Sequence, residues 1–388
     1  MAYPGSFDHQ SNVNPTQLTR QGALNGGSDP RALYLKLFSG EMFKGFQRNT
    51  IARDLVQKRT LTSGKSMQFI YTGRTTAEYH TPGQSILGND QKAPPVAEKT
   101  VTIDDLLISS AFVYELDETL AHYDLRGEIS KKIGYALAEK YDRKIFRSIT
   151  KAARQASPIT KTNFVEPGGT QIKVGAAGSN ADQAYTATSL INAFYDAAAA
   201  LDEKGVSQEG RVGVLNPRQY YELIQETGSN GLINRDETGD ALQTGNGIVE
   251  IAGIKIYKSM NIPFFGRFGT KYGSVSGTNP GVTDPGNTGD FTEVVMVDET
   301  AGSGATKTVN SYGNGNSDFE NSCGLIFQKE AAGVVEAIGP QVQVTSGDIS
   351  VVYQGDVILG RLAMGADALN PAAAVELYAG TNTAPSGF

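Results

Sequence analysis

The chain has 388 residues, a formal net charge of −7, 45 glycines and only 19% charged residues. Its length exceeds the size at which a single hydrophobic core usually stops growing, about 250–300 residues, so we expect two or more lobes. The acidic balance argues against a dedicated nucleic-acid-binding protein, which needs a basic face. The only cysteine, Cys323, cannot form an intrachain disulfide. No apolar run has the length of a signal peptide or a membrane span, so we expect a soluble protein that is not secreted by that route.

The N-terminal segment combines a polar stretch with a predicted helix. Residues 1–28 are rich in Asn, Gln, Ser and Gly, which predicts a flexible or extended arm. Asp29 and Pro30 then supply an N-cap and a first-turn proline. Apolar residues follow at helical spacing: Leu35, Phe38, Met42 and Phe46. We expect an amphipathic helix docked on the main body rather than a membrane-surface helix, because its polar face lacks a strong Lys/Arg excess.

Two predicted strands, Ser66–Thr72 and Lys99–Leu107, flank a polar segment punctuated by glycine and proline. A two-stranded arm with such a polar tip buries little of itself and is marginally stable alone. We therefore expect this arm to lie on another molecule. The low share of charged residues fits the same idea, because it suits a protein that covers much of its surface with copies of itself.

The longest helical pattern runs from Asp124 to about Ala156. About 33 residues at 1.5 Å rise would form a rod of roughly 50 Å. Its apolar residues recur at every fourth position: Leu125, Ile129, Ile133, Leu137, Tyr141, Ile145 and Ile149. Each step of four advances the direction by about 40°, so the stripe winds around the helix. The helix is therefore predicted to meet different neighbours along its length.

The remaining elements alternate with Gly-rich segments. The patterns predict a helix over Thr188–Lys204, a buried strand over Arg211–Leu215, a short helix from Pro217 and a hairpin joining Ile248–Ile251 to Ile254–Tyr257. Further strands are predicted at Glu293–Val297, Gly324–Gln328, Gly333–Ala337 and Ile349–Ile358, with an Ala-rich tail after Pro371. Residues 263–320 are otherwise saturated with Gly, Asn, Thr and Ser and are interpreted as a surface insertion.

Residues that could support catalysis or metal binding are sparse. The three histidines, His9, His80 and His122, are too scattered to predict a metal cluster or a catalytic triad. The run Gly302–Thr308 lacks the glycine that precedes the lysine in a phosphate-binding loop, and no buried strand leads into it. We therefore predict neither an enzyme nor a cofactor or metal site.

Several short motifs occur in a specific order along the first third of the chain. They are Ser63–Ser66, Gly73–Thr75, Tyr79, Pro82-Gly83, Thr102–Asp104 and His122–Glu128. In this order the chain resembles the major capsid proteins of short-tailed podophages related to the T-odd coliphages. Weaker agreement continues at Arg211–Tyr221 and Gly324–Glu336, and it sharpens at Leu362–Gly365 with Pro371 downstream.

The resemblance implies an α+β protein with the tailed-phage capsid fold, the Hong Kong-97-like or Johnson fold. The implied segments are an N-terminal arm and helix (1–60), an extended loop (61–107), a peripheral domain (108–186) with a spine helix at about 124–156, an axial domain (187–320) that includes the Gly-rich insertion 263–320, and return strands of the peripheral domain with a C-terminal tail (321–388). The insertion is hypothesised to decorate the outer surface or the capsomer centre.

The implied function is that of a structural major capsid protein. It would assemble with itself into the hexamers and pentamers of an icosahedral shell around the double-stranded DNA of a phage. The implied partners are a scaffolding protein and a portal protein, with no membrane and no sequence-specific DNA binding. The implied location is the virion, after assembly in the host bacterial cytoplasm. We expect noncovalent shells.

Six residues are predicted to make contacts between subunits: Lys65, Arg74, Tyr79 and Glu98 on the extended loop, and Arg126 and Glu128 at the start of the spine helix. For Arg74 an intersubunit ion pair and a solvated charge both remain open. The alternative within the same fold is an encapsulin-like compartment shell. A surface-adhesion or fibre protein would fit the Gly-rich insertion but not the long winding helix.

Overall fold

The structure is a computed structural model that describes residues 51–75, 77, 79–83, 85, 94–103, 106–120, 125–161, 164–175, 184, 186–225, 250–259, 261–262, 322–344, 354–379 and 384. The predicted N-terminal arm 1–28, the predicted helix after Asp29, the predicted strand Glu293–Val297 and the whole Gly-rich insertion 263–320 lie outside these residues. Within them, no helix combines the length and the apolar character needed to span a membrane.

The described residues form fourteen strands and four α-helices. In chain order they are β1 (Gln57–Thr60), β2 (Ser66–Thr72), β3 (Val96–Thr102), β4 (Leu107–Tyr114), α1 (Glu115–Leu120), α2 (Leu125–Arg154), β5 (Thr160–Lys161), β6 (Phe164–Val165), β7 (Thr170–Lys173), α3 (Ala187–Glu203), β8 (Arg211–Leu215), α4 (Pro217–Gln225), β9 (Glu250–Ile251), β10 (Ile254–Lys258), β11 (Ser322–Gln328), β12 (Ala332–Val344), β13 (Gly355–Ala368) and β14 (Ala374–Tyr378). Short 3₁₀ turns cover Ala52–Asp54 and Pro371–Ala373.

These elements fall into two compact units. The smaller unit takes its described residues from Asp104–Lys140 and Ile338–Met364, and the larger unit from Arg48–Ile103, Tyr141–Ala337 and Gly365–Phe388. The units cut across the segments that the resemblance implies, so those segment boundaries stay a prediction.

In the smaller unit, β4 and β13 pair antiparallel from Leu107↔Leu362 to Tyr114↔Gly355. The first part of α2 packs on this pair through a small core of Val113, Ile129, Ile133, Leu137 and Ile358. The packing is close at Gly360, where an added Cβ would lie 2.4 Å from the Ile133 side chain. A glycine at this position therefore lets the helix approach the strand.

The larger unit is built on a six-stranded mixed sheet with the order β7-β14-β11-β8-β10-β9. Helices α3 and α4 bury their apolar faces in its main core, which includes Phe194, Leu201, Leu215, Leu223 and Ile254. The neighbouring strands β14, β11 and β8 are short and buried at almost every position, as expected for strands covered on both faces. The second part of α2 is buried at every position from 141 to 150.

The helix α2 confirms the prediction of a winding apolar stripe. Ile129, Ile133 and Leu137 contribute to the core of the smaller unit. Tyr141 and Ile145, further along the same stripe, are buried in the larger unit, where the Tyr141 hydroxyl donates to Glu336. Residues of one apolar stripe are therefore buried in two different units along the same helix.

Several other predicted elements are confirmed. The strands Ser66–Thr72 and Arg211–Leu215 have the predicted bounds, and α2 and α3 differ from prediction by one or two residues at each end. The predicted hairpin is present as β9 and β10, and Ala252 (φ 51°) and Gly253 (φ 76°) form its turn. Positive φ at both central residues matches the twist that a two-residue hairpin requires.

Two predictions were wrong in extent or type. The predicted strand Lys99–Leu107 is instead the end of β3, a break after Thr102, and a separate strand that begins at Leu107. The predicted Ala-rich tail contains β14, which is fully buried between β7 and β11. The alanines before Val375 suggested a tail, but Val375 and Leu377 belong to the main core of the larger unit.

Two strands after residue 321 join the six-stranded sheet. β11 and β14 lie in the same sheet as β8, whose residues fall in the predicted axial segment, and the assignment of the return strands to a peripheral domain stays a prediction. The antiparallel pairing of β11 with β8, from Gly324↔Leu215 to Gln328↔Arg211, fixes that arrangement.

Candidate functional site

The predicted extended loop is built on β2 and β3, which form a separate two-stranded antiparallel ribbon (hereafter the ribbon) from Ser66↔Thr102 to Thr72↔Val96. One face of the ribbon is exposed along its whole length: Ser66, Gln68, Ile70 and Thr72 with Val96, Glu98, Thr100 and Thr102. This face is polar except for Ile70, which is 74% exposed, and Val96, which is 64% exposed. Two large apolar side chains left in water on one face indicate a surface that a partner could cover.

The other face of the ribbon lies against the larger unit of its own chain. Met67, Phe69 and Tyr71 are half-buried, and Val101 is buried. The guanidinium of Arg59 on β1 lies 5.1 Å from the centroid of the Phe69 ring. The packing is incomplete, because a groove of about 610 Å³ remains between the ribbon, β1 and the segments around Glu330 and Leu369.

A buried carboxylate, Glu166, holds the end of β2. It accepts a hydrogen bond from the Arg74 backbone N–H, and its Oε2 lies 3.5 Å from Arg74 Nε. Arg74 also donates through Nη2 to the carbonyl of Lys204, the C-cap residue of α3. Lys204 in turn donates to the Gly168 carbonyl at 2.6 Å and to Thr170. We call Arg74, Glu166 and Lys204 the Glu166 clamp.

Burial and charge shift the pKa values around this clamp. Burial lowers the pKa of the Lys204 ammonium. Burial, and then the negative charge of Glu166, raise the pKa of Tyr71 on the inner face of the ribbon. Residue 73 also has to be a glycine for steric reasons, because an added Cβ would lie 2.8 Å from Pro95 and 3.1 Å from a Glu166 oxygen.

A second carboxylate, Asp367, holds the middle of β3. Its Oδ2 lies 3.1 Å from Lys99 Nζ of the ribbon, and its Oδ1 lies 2.8 Å from Lys151 Nζ of α2. Burial by itself would raise the pKa of Asp367, but the hydrogen bond from Lys151 and the charges of both lysines hold it below the usual value. We call Lys99, Asp367 and Lys151 the Asp367 clamp.

The carboxylate of Glu336 links β1 to α2 through hydrogen bonds and ion pairs. It accepts hydrogen bonds from Arg53 at 3.3 Å and from the Tyr141 hydroxyl at 2.6 Å, and it lies 2.7 Å from Lys58 Nζ. Burial acts to raise its pKa, but the bonds from Lys58, Tyr141 and Arg53 outweigh burial and lower it. For Tyr141, burial and then Glu336 raise the pKa.

The first described residues of the chain are anchored by Asp142. Its carboxylate accepts from the backbone N–H groups of Ile51 at 2.8 Å and Ala52 at 3.1 Å. Asn261 approaches the same carboxylate at 3.5 Å. Burial raises the pKa of Asp142 to about 6, although these three hydrogen bonds act to lower it.

The structure places the six predicted contact residues in different settings. Tyr79 is fully exposed, and Lys65 and Glu98 are exposed. Arg74 belongs to the Glu166 clamp of its own chain and keeps 58% of its side chain exposed. In the first turn of α2, Arg126 Nη2 lies 2.8 Å from Asp356, and Glu128 is buried. Their predicted role between subunits stays a prediction.

Sequence reasoning missed the carboxylates that hold the ribbon. Glu166 lies in an irregular segment between β6 and β7, and Asp367 lies near the end of β13. No motif or spacing marks either residue, because their partners are far away along the chain. Among the described residues, no group of three or more His, Cys, Asp or Glu side chains could hold a metal ion.

The sequence matches the model of the Gp10A-like major capsid protein family over residues 68–310. The chain belongs to this family. Its structure is similar to that of a chain in the capsid of the cyanophage P-SCSP1u, with 32% identity, a TM-score of 0.67, and coverage of 96% of this chain and all of the other. It also resembles a chain of the mature capsid of bacteriophage PhiM1, with a TM-score of 0.59 and 15% identity, which bears on the fold alone.

Curated members of the family match over shorter regions. The major capsid protein of Escherichia phage T7 is 31% identical over 210 residues, which is 53% of this chain and 60% of the T7 protein. The major capsid protein of Enterobacteria phage T3 is 36% identical over 124 residues, 32% of this chain and 35% of the T3 protein. The chain thus spans less than two thirds of the length of these relatives. The predicted family and the Hong Kong-97-like tailed-phage capsid fold are confirmed, and the encapsulin alternative is not favoured.

Proposed function

We propose that this protein is the major capsid subunit of a short-tailed phage and assembles with itself into a closed icosahedral shell. The observation that carries the proposal is the likeness to a cyanophage capsid chain over 96% of this chain at 32% identity. The family consists of structural capsid proteins and is not a class of enzymes.

The physical mechanism is repeated association of identical subunits. Each copy makes several modest contacts, and closure of a symmetric lattice makes their sum stable. The exposed face of the ribbon is the surface best suited to such contacts, because it leaves Ile70 and Val96 in water. Covering each of these side chains would contribute about 1–3 kcal/mol.

We infer the contact residues from exposure. Tyr79, Lys65 and Glu98 are free to reach a neighbouring subunit. Arg74 pairs with Glu166 of its own chain, and its guanidinium stays half-exposed. We therefore assign it first to the Glu166 clamp and only second to a contact between subunits. Arg126 is held by Asp356 and is a weaker candidate, as is the buried Glu128.

The wider assembly follows from the same proposal. The shell is built from hexamers and pentamers around double-stranded DNA, with a scaffolding protein during assembly and a portal protein at one vertex. Assembly takes place in the host bacterial cytoplasm, and the protein ends in the virion. The contacts are noncovalent, so boiled denaturing gels of shells should show a single band at the mass of the subunit and no ladder of linked species.

Expression of the full chain with and without its scaffolding protein, followed by negative-stain electron microscopy, tests the proposal. We expect spherical shells with the scaffold, and spherical shells or polyhedral tubes without it. A protein that stays monomeric at high concentration in both cases would refute the proposal. Shells that contain a cargo enzyme and no genome would support the encapsulin alternative instead.

A further inference from the structure

The two clamps hold the ribbon at separate points of its length. The Glu166 clamp acts at the end of β2, and the Asp367 clamp acts at Lys99 on β3. Both anchors are ion pairs whose ribbon-side cations are partly exposed, with Arg74 58% and Lys99 34% exposed to solvent. Ion pairs with exposed members are weakened by salt and contribute modestly to stability.

The inner face of the ribbon is incompletely packed on its own chain, although Val101 is buried. The groove of about 610 Å³ lies beneath it, and the apolar side chains of Met67, Phe69 and Tyr71 are only half-buried. An element with few buried apolar contacts and an incomplete interface belongs to the low-stability end of a structure. The two strands of the ribbon are thus paired with each other along seven residues each, but the ribbon makes few close contacts with the rest of the larger unit.

We propose that the ribbon is a strap held by charge: the Glu166 and Asp367 clamps keep it on its own subunit before assembly, and their release frees it to contact a neighbour. This inference rests on the proposed capsid function. In the clamped state the strap restrains assembly, because its inner face is occupied by its own chain. Release exposes that inner face, so Met67, Phe69 and Tyr71 become available to another subunit. The internal hydrogen bonds of the ribbon are preserved when it moves.

The position of the ribbon can be measured directly in the full-length, unassembled protein. Nitroxide labels at Thr100→Cys on the ribbon and Asn192→Cys on α3, with the buried thiol removed by Cys323→Ala, report a distance within the larger unit. We expect a narrow distance distribution at 50 mM salt and a broad one at 500 mM salt. The combined variant Glu166→Gln and Asp367→Asn should give the broad distribution at 50 mM.

The matched control is Asp202→Asn. It removes a comparable ion pair of the same unit, Asp202 with Arg211 at 2.7 Å, but leaves both clamps intact. The control should keep the narrow distribution. An unchanged distribution in both the clamp variant and high salt would overturn the inference, and the salt series decides the point even if the clamp variant does not fold.

Assembly kinetics test the restraining role. At equal protein concentration and 50 mM salt, light scattering should rise severalfold faster for the clamp variant than for the wild type or the Asp202→Asn control. A rate equal to or slower than wild type, despite a freed ribbon, would show that the clamps do not restrain assembly. If the wild type formed no shells under any condition, the proposed function would fail, while the distance measurement would still decide whether the clamps hold the ribbon.

Discussion

Individual charged residues in the larger unit are stabilised by partners that are distant in sequence. Glu376 is completely buried on β14 and faces Arg154 of α2 at 2.6 Å. Gln171 and Ser322 complete its hydrogen bonds. A buried carboxylate is tolerated only when its charge is paired and its lone pairs are satisfied. None of this is readable from the local sequence, where Glu376 is one polar residue in an Ala-rich stretch.

Replacing this carboxylate is expected to be costly. Glu376→Gln removes the negative charge and leaves the buried guanidinium of Arg154 uncompensated, which typically costs about 3–5 kcal/mol. Chemical denaturation of the unassembled protein, followed by circular dichroism, measures the loss. Asp202→Asn should cost much less, because Arg211 keeps its bonds to the carbonyls of Ser207 and Val206. Equal losses in the two variants would contradict the importance of the buried pair.

Asp142 makes stability depend on pH. Its folded pKa of about 6 lies above the value of about 4 expected in the unfolded chain. The folded state therefore holds a proton that the unfolded state has lost, so this group contributes stability that is present below about pH 4 and is lost as the pH rises through about 6. The difference corresponds to roughly 3 kcal/mol at most.

Comparison with Asp142→Asn isolates this contribution. We expect the free energy of unfolding of the wild type, relative to the variant, to increase between pH 7.5 and pH 5. The variant has no titratable group at this position, so other groups cancel in the comparison. Parallel pH profiles for the two proteins would mean that Asp142 titrates near its ordinary value.

At the scale of secondary structure, the sequence predicted elements best where one pattern dominates. The alternation in Ser66–Thr72 and the apolar run Arg211–Leu215 gave correct strands, and the fourfold repeat gave α2. Prediction failed at β14, because Ala374–Tyr378 is only five residues long and follows a run of alanines, so the alternation of Val375 and Leu377 with Glu376 is too short to be a clear strand signal. Burial between β7 and β11 makes this segment a strand. The pairing of two strands in the ribbon was predicted, but the contacts that hold the ribbon on its own chain were not. No local sequence pattern marks Glu166 or Asp367 as partners of the ribbon.

Close backbone contacts at the base of the ribbon give an element-scale prediction. A Cβ on Gly365 of β13 would lie 2.0 Å from the carbonyl oxygen of Thr102 at the end of β3. Gly365→Ala should therefore lower the free energy of unfolding by about 1–3 kcal/mol, the usual cost of overpacking. Thermal or chemical denaturation measures this change.

Gly134 of α2 provides the matched control. An added Cβ there meets no atom within 4 Å, and the residue lies in the helix interior. Gly134→Ala should raise stability by up to about 1 kcal/mol, because alanine restricts the unfolded chain and favours the helix. Destabilisation of similar size at both positions would mean that the close approach to Thr102 is not the cause.

At the scale of the whole molecule, the exposed face of the ribbon is the surface that we propose for contacts between subunits. The face has no partner among the described residues for Ile70 or Val96, although exposing them costs the isolated subunit favourable burial. Apolar side chains that lie in water in the single subunit would be buried in every copy when the subunits form a lattice. Because the same interface recurs in every subunit, a small weakening of that interface has a large effect on the shell.

Ile70→Ser combined with Val96→Ser should therefore leave folding unchanged and strongly reduce the yield of shells. The loss of about 1–2 kcal/mol per side chain would weaken each interface by about tenfold or more. Sedimentation of assembled particles measures the yield, and denaturation of the subunit checks folding. Gln68→Ser combined with Thr100→Ser alters the same exposed face but removes much less apolar surface, and it should assemble normally. If both pairs of substitutions reduced the yield equally, the general shape of the face rather than its apolar side chains would govern assembly. A normal yield from the Ile70 and Val96 pair would place the interface elsewhere on the subunit.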